Sequence, residues 1–203
     1  MKHKIPLAFV LLTFLICALA IFQACNISDD EVYTPKPMGY YKISFPKKDY
    51  QLYDTTCPFS FEYPKYGFIK NDPSSLAEPC WINLHFPSFN GTLHLSYKVV
   101  NDNLNEYLED SYTLAAKHQI KSSGILEQLI QVDSNNVYGL VYEIDGNAAS
   151  AVQFFLTDST KHFLRGALYF NEVPNIDSMA PVVNFIKQDI YHLFDSFNWK
   201  EAN

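Results

Sequence analysis

Four cysteines, six histidines and one arginine are the residues of this chain with the greatest capacity for chemistry. Asp158, Ser159 and His162 have the residue types of a hydrolytic triad. They stand close together in a stretch of turn formers, however, and the G-x-S-x-G motif that would expose a nucleophilic serine does not occur in the chain. A turn between two strands explains these residues better, and we expect no catalytic residue and no enzymatic activity.

The histidines do not form a metal-binding motif. His85 and His94 fall on two strands that are predicted to be adjacent, so they could approach each other, but no third ligand is identifiable and no CxxC or HxxxH spacing occurs. The seven glycines form no phosphate-binding loop. We therefore expect neither a metal nor a cofactor, and polar strand faces explain both histidines.

The first 25 residues have the pattern of an export signal. Lys2 and Lys4 precede an almost wholly apolar stretch, and Ala24 stands directly before Cys25. A small residue before a cysteine is typical of lipoprotein processing, in which the peptide is cut and the thiol is acylated, for example with palmitate. The alternative is an uncleaved anchor, because the apolar stretch approaches the roughly 20 residues that span a bilayer. We predict a signal peptide over 1–24, a lipid-anchored tether over 25–40 and a single domain over 41–203.

The charge of the chain excludes one class of partner. The formal net charge is −7, and the two N-terminal lysines contribute +2, so the rest of the chain carries −9. Binding to phosphate backbones needs clustered Lys and Arg side chains. We therefore expect no nucleic-acid partner, and the membrane to be reached through the lipid anchor and not through charge.

Two cysteines remain beyond the N-terminal segment. Cys57 and Cys80 lie in a part of the chain that the export signal would place in an oxidising compartment, where a disulfide between them is plausible. A bridge would join the first core strand to the second and stabilise the domain by about 3 kcal/mol in the chain-entropy model. Two buried thiols are the alternative.

The residue pattern predicts an α+β fold. Two apolar segments flank the turn formers of 158–161, which indicates a β-hairpin over 149–170. Both faces of both strands are apolar, as is typical of central strands in a sheet that is covered on both sides. We predict a mostly antiparallel sheet with two main helices packed on it, similar to the PsbP-type sandwich. The further elements expected are strands at 42–45, 57–63, 80–86, 91–100, 125–132 and 137–144, and helices at 103–121, capped by Asn103, and 178–197.

Arg165, the only arginine of the chain, lies inside the second strand of this hairpin. A guanidinium group there needs a partner to offset its desolvation. An anionic ligand or a charged group of a partner protein would make its role functional. A carboxylate of the same chain would make its role structural, and the candidates are Asp158, Glu143 and Asp145.

Lys36 and Tyr40 form a second candidate contact. They belong to an extended, proline-containing strip that precedes the domain, and exposed strips of basic and aromatic residues are often contact surfaces. A polyproline spacer without a binding role is the alternative.

Several long stretches together resemble one family, the gliding motility lipoprotein GldD of Bacteroidetes. They include YTPKPMGYYKI at 33–43, CPFSFEYPKY at 57–66, CWINLHFP at 80–87, VYGLVYEIDGNAAS at 137–150 and QFFLTDSTKHFLRGALYFNEVPN at 153–175. The resemblance implies a non-enzymatic lipoprotein of the cell envelope that is required for gliding motility and is linked to type IX secretion. The lipoprotein cysteine of the family corresponds to Cys25.

The resemblance also implies partners and a location. The partners would be other gliding-motility lipoproteins and ring components of the type IX secretion machinery. The acidic stretch at 26–31 resembles the surface-export signals of some lipoproteins but is equally consistent with a solvated linker, so both the periplasmic face and the cell surface stay open. The alternative function is the binding of a small ligand or glycan in an aromatic groove beside Trp81, Tyr97 and Arg165.

Overall fold

The structure of the chain is a computed structural model that describes residues 42–200, with the backbone alone for Ile176. The predicted signal peptide, the predicted lipidation site Cys25 and the tether residues Lys36 and Tyr40 lie outside the described residues.

Within residues 42–200, ten strands form two antiparallel sheets. The larger sheet has the strand order β3-β4-β5-β9-β8-β7-β6 and the smaller the order β1-β2-β10. The strands are β1 (Tyr50–Asp54), β2 (Phe59–Pro64), β3 (Phe68–Asn71), β4 (Ile82–Phe86), β5 (Gly91–Val99), β6 (Ser122–Val132), β7 (Val137–Gly146), β8 (Ser150–Thr157), β9 (His162–Phe170) and β10 (Asn198–Trp199).

The predicted hairpin is confirmed and lies at the middle of the larger sheet. Strands β8 and β9 pair antiparallel, from Thr157 opposite Phe163 to Ser150 opposite Tyr169. Asp158 Oδ1 accepts hydrogen bonds from the backbone N–H groups of the three residues that follow Ser159, so the turn interpretation of this segment is also confirmed.

Two main helices complete an α+β fold, as the sequence predicted. Helix α1 (Leu104–Ala116) is followed by a short 3₁₀ helix (Lys117–Ile120), and helix α2 (Ile176–Ser196) precedes β10. The predicted cap of α1 is wrong, because the Asn103 side chain accepts from the backbone of Asn101 and not from the first helical turn. Helix α2 is capped by Asn175, whose side chain accepts from the N–H of Asp177.

The two faces of the larger sheet have separate cores. The face toward α2 contributes Leu164 and Leu168 to a large core that also contains Phe59 and Phe61 of the smaller sheet and Ile190 of α2. The opposite face contributes to a smaller core beneath α1 whose buried members are Val100, Ala115, Tyr142, Ile144, Phe155 and Phe163. This arrangement explains why both faces of the central hairpin are apolar.

The structure differs from the sequence prediction in its first elements. No strand forms at 42–45; instead the chain enters the domain as an irregular arm over 42–49. Strands β1, β3 and β10 were not predicted. A disulfide joins Cys57 and Cys80, whose Cα atoms are 5.6 Å apart.

Candidate functional site

Arg165 lies on the face of the sheet that α1 covers only in part. Side chains alternate between the two faces along a strand, so Arg165 and Tyr169 share a face with Phe163 of the smaller core. The strand register places Ser96 of β5 opposite Arg165. Arg165 is half-buried in this position.

The guanidinium group of Arg165 donates to the side-chain oxygen of Gln153, with Nη2 and Oε1 2.5 Å apart. Within residues 42–200 it forms no ion pair with a carboxylate. Of the three carboxylates considered from the sequence, Asp145 forms no ion pair with Arg165, and Glu143 and Asp158 have other partners. Glu143 accepts from Lys187 and from the Tyr191 hydroxyl, each at 2.7 Å, and Asp158 caps its own turn.

A row of mostly polar side chains, interrupted by Ala167, crosses this face of the sheet. The register places Asn83 opposite His94, His94 opposite Ala167, and Ala167 opposite Gln153. The row beside it places His85 opposite Thr92 and Thr92 opposite Tyr169. We call the surface formed by Asn83, His85, Thr92, His94, Arg165 and Tyr169 the polar sheet face.

The hydrogen bonds of the polar sheet face pair each of its histidines with a neighbouring side chain. His94 Nδ1 lies 2.7 Å from Asn83 Oδ1, and His85 Nδ1 lies 3.1 Å from Thr92 Oγ1. Each imidazole is thus paired with a neutral neighbour across the ladder. Within residues 42–200, no three His, Cys, Asp or Glu side chains are grouped closely enough to hold a metal ion.

Burial sets the charge on this surface. Burial lowers the pKa of His94, and nearby Asp72 opposes that shift while His85 adds to it. Burial also lowers the pKa of His118, in the 3₁₀ helix after α1, and the positive charge of Arg165 lowers it further. Burial lowers the pKa of Arg165 too, against the effect of the Tyr169 hydroxyl, but a guanidinium stays charged in proteins. On this surface Arg165 therefore carries a fixed positive charge, and burial favours the neutral forms of His94 and His118.

A second feature is an open cleft of about 750 Å³ beside the disulfide. It lies on the side of the sheet that faces β2, and Tyr97 and His162 line it together with Lys161 and Lys200. The Tyr97 hydroxyl lies 2.8 Å from His162 Nδ1. Burial raises the pKa of Tyr97 and lowers that of His162, so the pair is neutral near pH 7.

The predicted groove beside Trp81, Tyr97 and Arg165 is not formed as one site. Tyr97 is a buried member of the large core, whereas Arg165 lies on the opposite face of the sheet. Trp81 is tied to the adjacent strand through its indole N–H, which donates to the backbone oxygen of Tyr97 at 2.8 Å, and Lys98 lies over its ring.

The arm over 42–49 is fixed against α2. Asp189 is buried within α2 and accepts hydrogen bonds from the hydroxyl groups of Tyr50, at 3.0 Å, and Tyr66. The Lys48 ammonium group lies 2.7 Å from the same carboxylate and 3.5 Å from the centre of the Phe185 ring. The segment that follows the predicted tether is thus held on the opposite side of the sheet from the polar sheet face.

A family model now identifies the chain. The model of the gliding motility lipoprotein GldD matches residues 30–199, which is most of the sequence. The chain belongs to this family. The resemblance stated from the sequence is therefore confirmed, and the protein is a membrane-associated gliding motility lipoprotein of a family that is not known for enzymes.

Other comparisons add less. Among solved structures, the chain is similar to the solution structure of cyanobacterial PsbP from Synechocystis sp. PCC 6803, with a TM-score of 0.43 and 12% identity over 80% of this chain and 99% of that chain. No curated protein matches the chain. In the described part of the chain, no helix combines the length and hydropathy needed to cross a membrane.

The sequence did not identify Gln153 as the partner of Arg165, or Asp189 as the partner of Lys48. Gln153 is a single amide inside a strand that is apolar on both faces, and Asp189 lies on the apolar side of α2, three residues after Ile186. A lone polar residue in such a position indicates a buried hydrogen-bond partner. Which residue that partner is depends on strand register and helix packing, which local sequence does not specify.

Proposed function

We propose that this gliding motility lipoprotein is a non-enzymatic component of the cell envelope that works through protein–protein contacts while a lipid on Cys25 holds it to the membrane. The family match over residues 30–199 carries this proposal. We further propose a link to type IX secretion, with other gliding-motility lipoproteins and ring components of that machinery as partners. The export signal and the cysteine at its end support the anchor.

The polar sheet face is the contact surface that the geometry favours. Arginine and tyrosine side chains are enriched at the centres of protein interfaces, and here Arg165 and Tyr169 occupy half-buried positions on a surface that α1 leaves partly uncovered. The arm that leads from the anchor is fixed on the other side of the sheet by Lys48. A partner can therefore approach the polar sheet face without displacing the arm.

The anchor is tested with two cysteine variants in cells that carry a single copy of the gene. Cys25→Ala removes the predicted acylation site, and Cys17→Ala is the matched control within the same N-terminal segment. We expect Cys25→Ala to abolish spreading on agar and secretion of type IX cargo, and Cys17→Ala to behave as the parent. Normal spreading by a Cys25→Ala strain whose protein is found in the soluble fraction would contradict the proposal.

The contact surface is tested by site-specific photocrosslinking in intact cells. A photoreactive side chain at Thr92 lies on the polar sheet face, and one at Leu52, which is 61% exposed on the smaller sheet, is the control. We expect Thr92, and not Leu52, to capture envelope lipoproteins or secretion-ring components. Equal capture at both positions would argue against this surface. Protease treatment of the same intact cells distinguishes the periplasmic face from the cell surface.

A second candidate function is the binding of a small ligand in the cleft beside the disulfide. Its volume of about 750 Å³ falls within the roughly 300–1,000 Å³ typical of ligand sites. Tyr97 and His162 offer hydrogen bonds, and Lys161 offers a charge at the rim. Native mass spectrometry of the full-length lipoprotein in detergent tests this function. A ligand that is lost in a Val99→Trp variant would support it, and a ligand-free parent protein would contradict it.

A further inference from the structure

We propose that Arg165 and Gln153 form a binding site for one carboxylate group, supplied by an acidic side chain or chain terminus of a partner protein that docks on the polar sheet face. The identity of the donor as a partner protein rests on the proposed function. The affinity of the site for a carboxylate does not rest on the proposed function, because it follows from the geometry of the two side chains.

The first argument is the charge balance of the half-buried cations. Four lysines of residues 42–200 are half-buried, and each has a carboxylate partner within ion-pair distance: Lys48 with Asp189, Lys98 with Glu78, Lys187 with Glu143 and Lys200 with Asp54. Arg165 is half-buried as well, but among the described residues its side-chain partners are the neutral Gln153 and Tyr169. A desolvated charge without a counter-charge is unfavourable, and a carboxylate brought by a partner would compensate it.

The second argument is an unsatisfied amide beside this charge. Gln153 is 1% exposed, and its Nε2 has no hydrogen-bond partner within residues 42–200. The orientation of the amide is fixed, because turning it over would bring Nε2 against the N–H donors of Arg165. An N–H donor of Gln153 therefore stands next to the guanidinium group and lacks an acceptor.

The chemistry of these donors favours a carboxylate. The guanidinium fork has five N–H donors and no acceptor, and it pairs with the two oxygens of a carboxylate in a planar, bidentate geometry. The Gln153 amide adds a neutral donor. Nearby titratable groups include His94 and His118, whose lowered pKa values leave them neutral near pH 7, so they do not repel an anion and do not compete with it for Arg165. Asp72 accepts a hydrogen bond from Asn83 on the same face, but within residues 42–200 it forms no ion pair with Arg165.

A buried water is the competing occupant for the amide. A buried water that accepts from the Gln153 amide would satisfy it without any partner protein. That arrangement would leave the charge of Arg165 uncompensated, and the experiment below separates the two occupants.

The test uses the fact that the chain contains one arginine. In the full-length lipoprotein solubilised in detergent, the ¹⁵N-resolved Nε–H signal of arginine belongs to Arg165 alone. We expect acetate to shift this signal and the side-chain NH₂ signals of Gln153 in a saturable manner, while sodium chloride at equal ionic strength does not. An equal shift with chloride, or a shift of Arg165 without Gln153, would overturn the proposal. Inorganic phosphate is the third probe, and tighter binding of phosphate than of acetate would indicate a phosphate-bearing ligand instead and overturn the carboxylate assignment.

Variants make the assignment specific. Arg165→Lys keeps the charge but loses the fork, and Gln153→Met keeps the approximate volume but loses the amide; we expect each to weaken acetate binding at least tenfold. Ser96→Ala, directly opposite Arg165, is the matched control and should bind as the parent does. Parent-like binding by Gln153→Met would overturn the proposal.

The outcome of this test is separable from that of the proposed function. Acetate binding is measured on the purified protein, whereas the anchor is tested by the spreading of Cys25→Ala cells. Loss of spreading in Cys25→Ala cells together with no acetate binding would leave the proposed function standing and remove this site.

Discussion

The ammonium group of Lys48 lies 2.7 Å from Oδ1 of Asp189, and this contact joins the arm over 42–49 to the middle of α2. The Asp189 side chain is 1% exposed, so its charge is compensated by neighbours and not by water. Burial lowers the pKa of Lys48, and the nearby Asp189 partly opposes that effect. Burial and the same carboxylate raise the pKa of Tyr50 to about 12, so Tyr50 stays a hydrogen-bond donor.

Replacing Asp189 should therefore destabilise the domain strongly. Asp189→Ala leaves the Lys48 ammonium group and two tyrosine hydroxyl groups without their common acceptor. Removing one partner of a buried ion pair typically costs about 3–5 kcal/mol, and we expect about 3 kcal/mol here because Lys48 is partly exposed. Chemical denaturation monitored by circular dichroism measures the free energy of unfolding.

The matched control for this prediction lies on the same helix. Asp195 is exposed, so Asp195→Ala should change the free energy of unfolding by less than about 0.5 kcal/mol. Equal losses in the two variants would mean that helix propensity, and not the buried contact, determines the effect.

The disulfide leads to a second prediction. Cys57 and Cys80 are 23 residues apart, and closing a loop of this size stabilises a domain by about 3 kcal/mol in the chain-entropy model. We expect the double variant Cys57→Ser, Cys80→Ser to unfold at a temperature roughly 6–12 °C lower than the parent. Dithiothreitol should lower the midpoint of the parent toward that of the double variant and leave the double variant unchanged. An unchanged parent midpoint under full reduction, checked by thiol titration, would refute the prediction.

The central hairpin was predictable because its signal is local. Apolar residues on both faces of 150–157 and 162–170, with Asp158 and Ser159 between them, admit few structures other than two buried strands and a turn. Helices α1 and α2 were predictable for the same reason, because segments of 13 and 21 residues are too long for typical strands. The lipoprotein signal and the family resemblance likewise depend on contiguous residues.

What the sequence did not predict depends on contacts between distant segments. Strand β3 has four residues and β10 has two, so neither shows a recognisable alternation, and both form because a neighbouring strand offers hydrogen bonds. The face on which Tyr97 lies follows from the register of β5, where a shift of one residue would exchange the faces. The partner of Arg165 is Gln153 for the same reason: register, and not sequence distance, makes them diagonal neighbours.

Close approach of two strands gives a third prediction. A Cβ atom on Gly139, in β7, would lie 1.9 Å from the backbone oxygen of Phe155 in β8. The backbone oxygen of Phe155 cannot move away without breaking hydrogen bonds between β7 and β8. Gly139→Ala should therefore lower the free energy of unfolding by about 3 kcal/mol. Gly124→Ala, in the neighbouring strand β6, is the matched control, because a Cβ there meets nothing within 4 Å. Urea denaturation should show a loss for Gly139→Ala alone, and similar midpoints for the two variants would refute the packing argument.

The pair formed by Tyr97 and His162 gives a prediction for pH. Burial lowers the pKa of His162, nearby Lys161 lowers it further, and Asp158 acts in the opposite direction. The folded protein therefore binds a proton at His162 less readily than the unfolded chain, whose histidine has a pKa of about 6.5. The contribution of His162 to stability is complete above that value and is lost as the pH falls through the lower pKa of the folded state.

We therefore expect the free energy of unfolding to decrease on acidification below about pH 6.5. His94 and His118, whose pKa values are also lowered by burial, contribute in the same direction. His162→Gln should make this pH dependence shallower because it removes one of the three groups. Tyr97→Phe should lower stability at every pH without changing the slope, because burial, which dominates the shift, is retained. A parent-like slope for His162→Gln, measured by urea denaturation between pH 7.5 and pH 5, would show that the imidazole is not held neutral by the fold.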